Sequence, residues 1–81
     1  MTYEEASKIV LTKYKNCKIT AGLDTPKAFV FAIKPINMKE DIFDNLFSVD
    51  KVTGVIASWP MSLHAQEYRE AIKHPIYLEP R

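Results

Sequence analysis

Cysteine is nearly absent from this chain, and its scarcity restricts both fold and chemistry. Cys17 is the only cysteine, so no disulfide can form within the chain, and a disulfide-stapled secreted fold is excluded. No apolar run approaches the roughly 20 residues that cross a bilayer, and no basic segment precedes an apolar stretch near the N-terminus. We therefore expect a cytoplasmic protein with no membrane association.

Glycine and histidine are also scarce, so the chain has few residues from which a phosphate-binding loop, a metal site or a catalytic site could be built. Gly22 and Gly54 are too few for a glycine-rich phosphate loop, and His64 and His74 lack the spacing of a metal site. Cys17 with either histidine could form a nucleophilic pair, but the helix dipole disfavours a thiolate at a helix C-terminus. We therefore predict no enzyme and no catalytic, cofactor-binding or metal residue; a small hydrolase using Cys17 is the minor alternative.

Aromatic and aliphatic residues, by contrast, are present in the proportion typical of a folded domain. The 81 residues are 47% hydrophobic and include four Phe, four Tyr and one Trp, which is enough apolar area to offset the entropy of ordering the chain. A chain of this length forms one domain. We predict a single small domain over residues 1–81.

The N-terminal residues carry a helix start signal. Thr2 and Glu5 have the spacing of a capping box, in which each side chain accepts a backbone N–H of the first turn. Apolar residues then recur at helical spacing at Tyr3, Ala6, Val10 and Tyr14. This pattern predicts a helix over residues 3–15.

The middle of the chain reads as strands. Residues 28–34, AFVFAIK, form the most hydrophobic run and are typical of a central strand, with a shorter strand expected over 18–22. Phe29, Phe31 and Ile33 would face one side of the sheet, toward the helices. Residues 36–45 are interpreted as a connection with one helical turn, in which the acids Glu40, Asp41 and Asp44 form a solvated face.

Residues 47–59 predict a β-hairpin. Strands over 47–49 and 55–59 flank the turn 50–54, and Gly54 is suited to a positive φ at the end of that turn. Pro60 ends the second strand and precedes a helix predicted over 61–73, which His74-Pro75 ends.

Together these elements predict an α+β fold: helix, antiparallel sheet of three or four strands, helix, with both helices on one sheet face. The last helix would contact the sheet through Met61, Ala65, Tyr68 and Ile72. The predicted core comprises Tyr3, Val10, Phe29, Phe31, Ile33, Phe47, Val49, Val55, Ala57, Met61, Tyr68 and Ile72.

Charge is balanced overall but divided along the chain. The net charge is +1, yet residues 1–39 sum to +4 and residues 40–81 sum to −3. Nucleic-acid binding through the N-terminal lysines is therefore kept as the alternative function, although they include no arginine and no interleaved aromatic residues. The lysines concerned are Lys8, Lys13, Lys15, Lys18 and Lys27.

Surplus apolar residues favour a different function. Leu63 falls on the polar side of its predicted helix, and Ile76, Tyr77 and Leu78 follow the last helix as an apolar tail that either docks or stays free. A small sheet also leaves edges that can accept a strand from another chain. The leading hypothesis is a non-enzymatic protein-binding or self-associating domain that contacts a protein partner or a second copy through these residues.

The hairpin and the last helix carry a resemblance. The residues Ser48-Val49-Asp50-Lys51-x-Thr53-Gly54-x-Ile56, an aromatic-Pro pair, and Glu67-Tyr68-x-x-Ala71-x-Lys73-x-Pro75-Ile76 resemble small uncharacterised proteins of phages and prophages in Gram-positive bacteria. The V-D-x-x-T-G core, Val49 to Gly54, is also similar to small bacterial immunity-like proteins. The resemblance covers the C-terminal third. It implies a helix–sheet–helix fold and a mobile-element origin, and it transfers no functional residue.

Overall fold

The structure is a computed structural model that describes residues 1–36 and 46–79. The elements in chain order are α1 (Tyr3–Lys13), β1 (Cys17–Asp24), β2 (Ala28–Pro35), β3 (Leu46–Asp50), β4 (Ile56–Ser58), a 3₁₀ turn (Met61–Leu63), α2 (Ala65–Ala71) and β5 (Tyr77–Leu78). The predicted connection over 36–45 lies, apart from Ile36, outside the described residues, as do its three acids.

The strands form one antiparallel sheet in the order β4-β3-β2-β1-β5. Strands β1 to β4 pair with their neighbours in sequence, and β5 returns to pair with β1 at the opposite side. The predicted α+β class, with a helix before the sheet and a helix after most of it, is confirmed. Among the described residues the sheet has five strands rather than the predicted three or four, because part of the apolar tail forms β5.

Helix α1 covers one face of the sheet, here called the α1 face. Its capping box is present: Thr2 Oγ1 accepts the Glu5 N–H at 3.2 Å, and Glu5 Oε1 accepts the Thr2 N–H at 3.2 Å. Ala6 and Val10 of the helix are fully buried. They pack against four buried residues of the sheet, namely Phe29, Phe31, Ile33 and Val49. The large residues of β2 therefore face a helix, as predicted.

Helix α2 packs on the opposite face, here called the α2 face, so the prediction that both helices share one face is wrong. Its Ala71 is buried, with Tyr68 and Ile72 partly buried beside it. The sheet contributes Leu23, Val30, Leu46 and Trp59 to this second cluster. The physical reason is that Val30 and Ala32, although smaller than the phenylalanines, are still apolar, so both faces of β2 require a cover.

The predicted helix over 61–73 is divided into two pieces. Met61–Leu63 forms a 3₁₀ turn and the α-helix begins only after His64, so Met61 is out of phase with Tyr68 and Ile72. Met61 is accordingly exposed rather than buried, and the predicted core positions Val55 and Ala57 are exposed as well. Trp59, which was not among the predicted core residues, is buried.

The turn between β3 and β4 has the predicted geometry at its last residue. Gly54 adopts φ +73°, and its N–H donates to the Asp50 carbonyl at 2.9 Å. The Asp50 carboxylate accepts the N–H groups of Val52 at 2.8 Å and of Thr53 at 2.9 Å. These backbone donors, with Thr53 the stronger, lower the pKa of the Asp50 carboxyl below its ordinary value. The turn thus fixes the direction in which β4 leaves the hairpin.

Candidate functional site

Leu63 lies on the 3₁₀ turn with 77% of its surface exposed. It forms part of the wall of a groove of about 600 Å³ between the β1–β2 turn and α2. The groove is lined by Asp24, Thr25, Pro26, Leu63, His64, Gln66, Glu67, Glu70, Ala71 and His74. The other three predicted partner-binding residues, Ile76, Tyr77 and Leu78, are not part of this lining.

The carboxylates of the groove each have a cation or imidazole of the same chain beside them. Asp24 Oδ1 is 2.5 Å from Lys51 Nζ, and Glu70 Oε1 is 3.5 Å from Lys73 Nζ. Glu67 Oε1 is 3.3 Å from His64 Nδ1. Because Lys51 and Lys73 offset the charges of Asp24 and Glu70, the groove attracts a basic ligand less than three unpaired carboxylates would.

His64 also anchors the 3₁₀ turn to the sheet. Its ring stacks on the buried Trp59 ring, with centroids 4.7 Å apart and an interplanar angle of 10°. Trp59 itself is held by a hydrogen bond from its backbone N–H to the Leu46 carbonyl at 2.9 Å. The stack therefore fixes where α2 begins on the α2 face.

The apolar tail is docked within the chain. The Ile76 N–H donates to the Gly22 carbonyl at 2.9 Å, and the Glu79 N–H donates to the Thr20 carbonyl at 2.8 Å. Tyr77 lies opposite Gly22 and is half-buried, whereas Leu78 lies opposite Ala21 and stays 54% exposed. Ile76 is 42% exposed, so the side chains of Ile76 and Leu78 remain accessible beside a backbone that is already paired.

The other side of the sheet ends in β4, whose outer backbone has no partner in the described parts of the chain. The Asp50 N–H donates to the Val55 carbonyl at 3.1 Å and the Trp59 N–H donates to the Leu46 carbonyl. Hydrogen-bonded and non-hydrogen-bonded pairs alternate along an antiparallel ladder. Since the two bonds belong to the pairs Asp50–Val55 and Leu46–Trp59, the bonded pair between them is Ser48–Ala57. The N–H and C=O groups of Ile56 and Ser58 consequently point away from β3. We call these four groups, with the side chains of residues 55–58, the β4 edge.

The β4 edge lies in the longest uncharged stretch of the chain. Between Lys51 and Glu67 the only titratable side chain is His64, whereas a chain that is 26% charged would on average place about four charges there. Exposed apolar side chains accompany the edge: Val55 is 60% exposed and Val52, at the tip of the hairpin, 91%. Sequence reasoning anticipated that a small sheet leaves edges, but the strand order was needed to identify which strand is outermost.

The sheet separates Cys17 from the two histidines with which it could have formed a nucleophilic pair. Cys17 packs beside the cluster on the α1 face, whereas His64 stacks on Trp59 and, with His74, lines the groove beside α2. Within residues 1–36 and 46–79 no three His, Cys, Asp or Glu side chains are placed to hold a metal ion. Every buried side-chain nitrogen or oxygen in those ranges has a hydrogen-bond partner, so none of them needs a ligand to complete its hydrogen bonding.

The N-terminal lysines are distributed rather than gathered. Lys15 and Lys18 lie at the start of β1 and Lys27 lies beyond its end, about 25 Å away for a strand of eight residues. Lys18 Nζ contacts Glu79 Oε1 at 2.5 Å. Nucleic-acid binding stays a prediction that this arrangement does little to favour.

No helix among the described residues is both long and apolar enough to span a membrane. The resemblance of the hairpin and last helix to phage and prophage proteins stays a prediction. Comparison of the chain with protein-family models, with curated proteins and with solved structures finds no match.

Proposed function

We propose that this chain is a non-enzymatic protein-binding domain that accepts a β-strand at the β4 edge. The observation that carries the proposal is the pair of outward-facing residues, Ile56 and Ser58, whose backbone donors and acceptors lack a partner in the described chain. Backbone groups of this kind bind a strand through main-chain hydrogen bonds, largely independently of the partner's sequence.

The chemical surroundings of the edge support this role. Soluble proteins usually protect an exposed sheet edge with charged side chains, with proline or with a covering element. At β4 no charged residue occurs between Lys51 and Glu67, and Pro60 limits the edge only at its C-terminal end. The shortness of β4 restricts the partner to a short strand, which favours reversible binding over aggregation.

By contrast with β4, the opposite edge of the sheet, at β5, is protected. Pro75 and Pro80 bracket β5 in the sequence, and Glu79 beside it carries a charge that Lys18 offsets. Proline interrupts further strand pairing because it lacks an N–H. The contrast between the two edges supports β4 as the binding surface.

The exposed side chains near the sheet supply a second layer of contacts. Val55 and Val52 accompany the edge, and Leu63 projects from the segment that follows it. Ile76, which precedes β5, and Leu78, which belongs to it, are exposed and are further candidates for contacts with a large partner. Apolar side chains around a backbone pairing add affinity because their burial removes apolar area from water.

The absence of catalysis is part of the proposal, and the geometry around Cys17 supports it. A nucleophilic thiol requires a base within hydrogen-bonding reach, whereas the sheet stands between Cys17 and both histidines. We therefore assign Cys17 a packing role beside α1.

The test is affinity capture with matched baits, combined with light scattering over a concentration series. Ser58→Pro removes an outward N–H, whereas Ser58→Ala removes only the hydroxyl and keeps that N–H. We expect association, with another protein or with itself, for the original chain and for Ser58→Ala, and its loss for Ser58→Pro. The proposal would be contradicted if the original chain stayed monomeric at every concentration and captured no protein that Ser58→Pro fails to capture.

A further inference from the structure

We infer that the strand accepted at the β4 edge is β4 of a second copy of this chain, paired antiparallel about a two-fold axis at Ala57. The inference rests on the proposed function and deepens it by specifying the partner. The result is a continuous ten-stranded sheet in which each copy contributes the same surface, as closed two-fold assemblies do.

The hydrogen-bonding alternation of β4 selects one register. With Ala57 opposite the partner's Ala57, Ile56 lies opposite the partner's Ser58, and all outward N–H and C=O groups of both copies pair in four hydrogen bonds. A register centred on Ile56 would set Ser58 against the partner's Gly54, whose N–H already donates to the Asp50 carbonyl. A register centred on Ser58 would set Ile56 against the partner's Pro60, which has no N–H.

The side chains near the axis are compatible with this register. Residues opposite one another in a non-hydrogen-bonded antiparallel pair approach to about 4.5 Å between Cα atoms, and alanine is small enough for that position. Ala57 is exposed and carries no contact in the hydrophobic clusters. Val55, which is 60% exposed in the single chain, would lie opposite the partner's Trp59.

Charge favours a second copy over a charged partner. A two-fold axis brings each charged group toward its own duplicate, so like charges near the axis oppose association. The stretch from Val52 to Leu63 contains no charged residue, and no repulsion arises there. An uncharged surface offers no complementary attraction to a strongly acidic or basic strand, but it is complementary to itself.

The expected association is weak and reversible. A three-residue strand buries far less area than the interfaces of permanent dimers. The dimer should therefore form at high protein concentration and dissociate on dilution. An assay that captures a transient pair is needed to establish the register.

Disulfide trapping tests the register directly. In a Cys17→Ser background, Ala57→Cys places two thiols across the axis at a Cα separation within the range that disulfides span. Val52→Cys is the matched control, since Val52 is 91% exposed but lies five residues from the axis, roughly 20 Å or more from its duplicate. We expect Ala57→Cys to cross-link at least about tenfold faster than Val52→Cys, because pairing raises the effective concentration of the two thiols.

Proline substitution tests the hydrogen bonds independently of any cysteine. Ser58→Pro removes two of the four intermolecular bonds and no bond to β3, since the Ser58 N–H points outward. Sedimentation velocity at rising concentration should show a monomer–dimer equilibrium for the original chain and for Ser58→Ala, and monomer only for Ser58→Pro. Circular dichroism and Trp59 fluorescence verify that each variant is folded.

The outcomes separate this inference from the proposed function. Equal cross-linking of the two cysteine variants, with sedimentation as a monomer at every concentration, overturns the self-pairing. If a different protein is then still captured by the original chain and by Ser58→Ala but not by Ser58→Pro, the strand-accepting function stands and only its partner was wrong. If no such capture occurs, both fail.

Discussion

The ring of Tyr3 lies against the backbone of Gly22. A Cβ atom added at Gly22 would fall 2.6 Å from Tyr3 Cε2, well inside contact distance. The ring has little freedom to move away, because it stacks on Phe31 with centroids 5.3 Å apart and meets the Phe29 ring edge-on at 5.9 Å. The lack of a side chain at Gly22 is thus what allows α1 to approach β1 so closely.

Gly22→Ala should therefore destabilise the fold by about 1–3 kcal/mol, the usual cost of overpacking a filled site. Urea unfolding measures the change. The control is a double-mutant cycle with Tyr3→Ala, in which the added methyl group should cost much less because the opposing ring is gone. An equal cost in both backgrounds would show that backbone preference at position 22, and not the ring, sets the requirement for glycine.

Asp50 should make stability depend on acidic pH. Its pKa is lowered by the N–H groups of Thr53 and Val52, so the contribution is present above the ordinary carboxyl pKa and is lost as pH falls through the lowered value. Asp50→Asn keeps an oxygen acceptor for both donors and should remove much of this pH dependence. Asp50→Ala should destabilise the hairpin even at neutral pH.

Chemical unfolding at several pH values between 2 and 7 compares the three proteins. If the free energy of unfolding of Asp50→Asn depends on pH as strongly as that of the original chain, another carboxyl is the source of the acid sensitivity. Glu5 is the natural second candidate, because the backbone and side chain of Thr2 lower its pKa as well.

The stack of His64 on Trp59 provides an optical signal. An imidazole ring stacked on the indole forms part of the surroundings of the Trp59 π-system. Since Trp59 is the only tryptophan, His64→Asn should change the intrinsic fluorescence spectrum, whereas His74→Asn should leave it unchanged. The reverse pattern would contradict the stacking geometry.

Removal of β5 should expose the outer edge of β1. A chain ending after Pro75 loses the hydrogen bonds from Ile76 and Glu79 to β1, each contributing about 0.5–1.5 kcal/mol, together with the cover that Tyr77 provides. We expect lower stability and stronger self-association, both measurable by unfolding and light scattering. Leu78→Ser, which alters an exposed side chain and leaves the backbone paired, is the control and should behave like the original chain.

Local features of the fold could be predicted from the sequence because they depend on neighbouring residues. The Thr2–Glu5 capping box and the positive φ of Gly54 each follow from residues within a few positions of one another. The alternation of Phe29, Phe31 and Ile33 likewise determines which face of β2 carries the larger side chains.

Features set by distant residues were not predictable in the same way. The face chosen by α2 depends on Trp59, which lies at the end of β4 and completes a cluster with Leu23 and Leu46. The break at His64 changes the helical phase, so a single wheel from Met61 to Ile72 correctly predicted only that Tyr68 and Ile72 pack against the sheet. It wrongly predicted the same of Met61 and Ala65, which are exposed. The tail could be recognised as apolar, but only the strand pairing shows that, among the described residues, β1 has a neighbour on both sides and β4 on one side.

The order of the strands also has a consequence for the time course of folding. Strands β1 to β4 pair with sequence neighbours, whereas Gly22 and Tyr77 of the β1–β5 pair are separated by about 55 residues. Distant pairings close later because a longer loop must be ordered first, so the four-stranded meander should form before β5 joins it. Amide hydrogens bonded between β5 and β1 should then exchange with solvent earlier than those between β2 and β3.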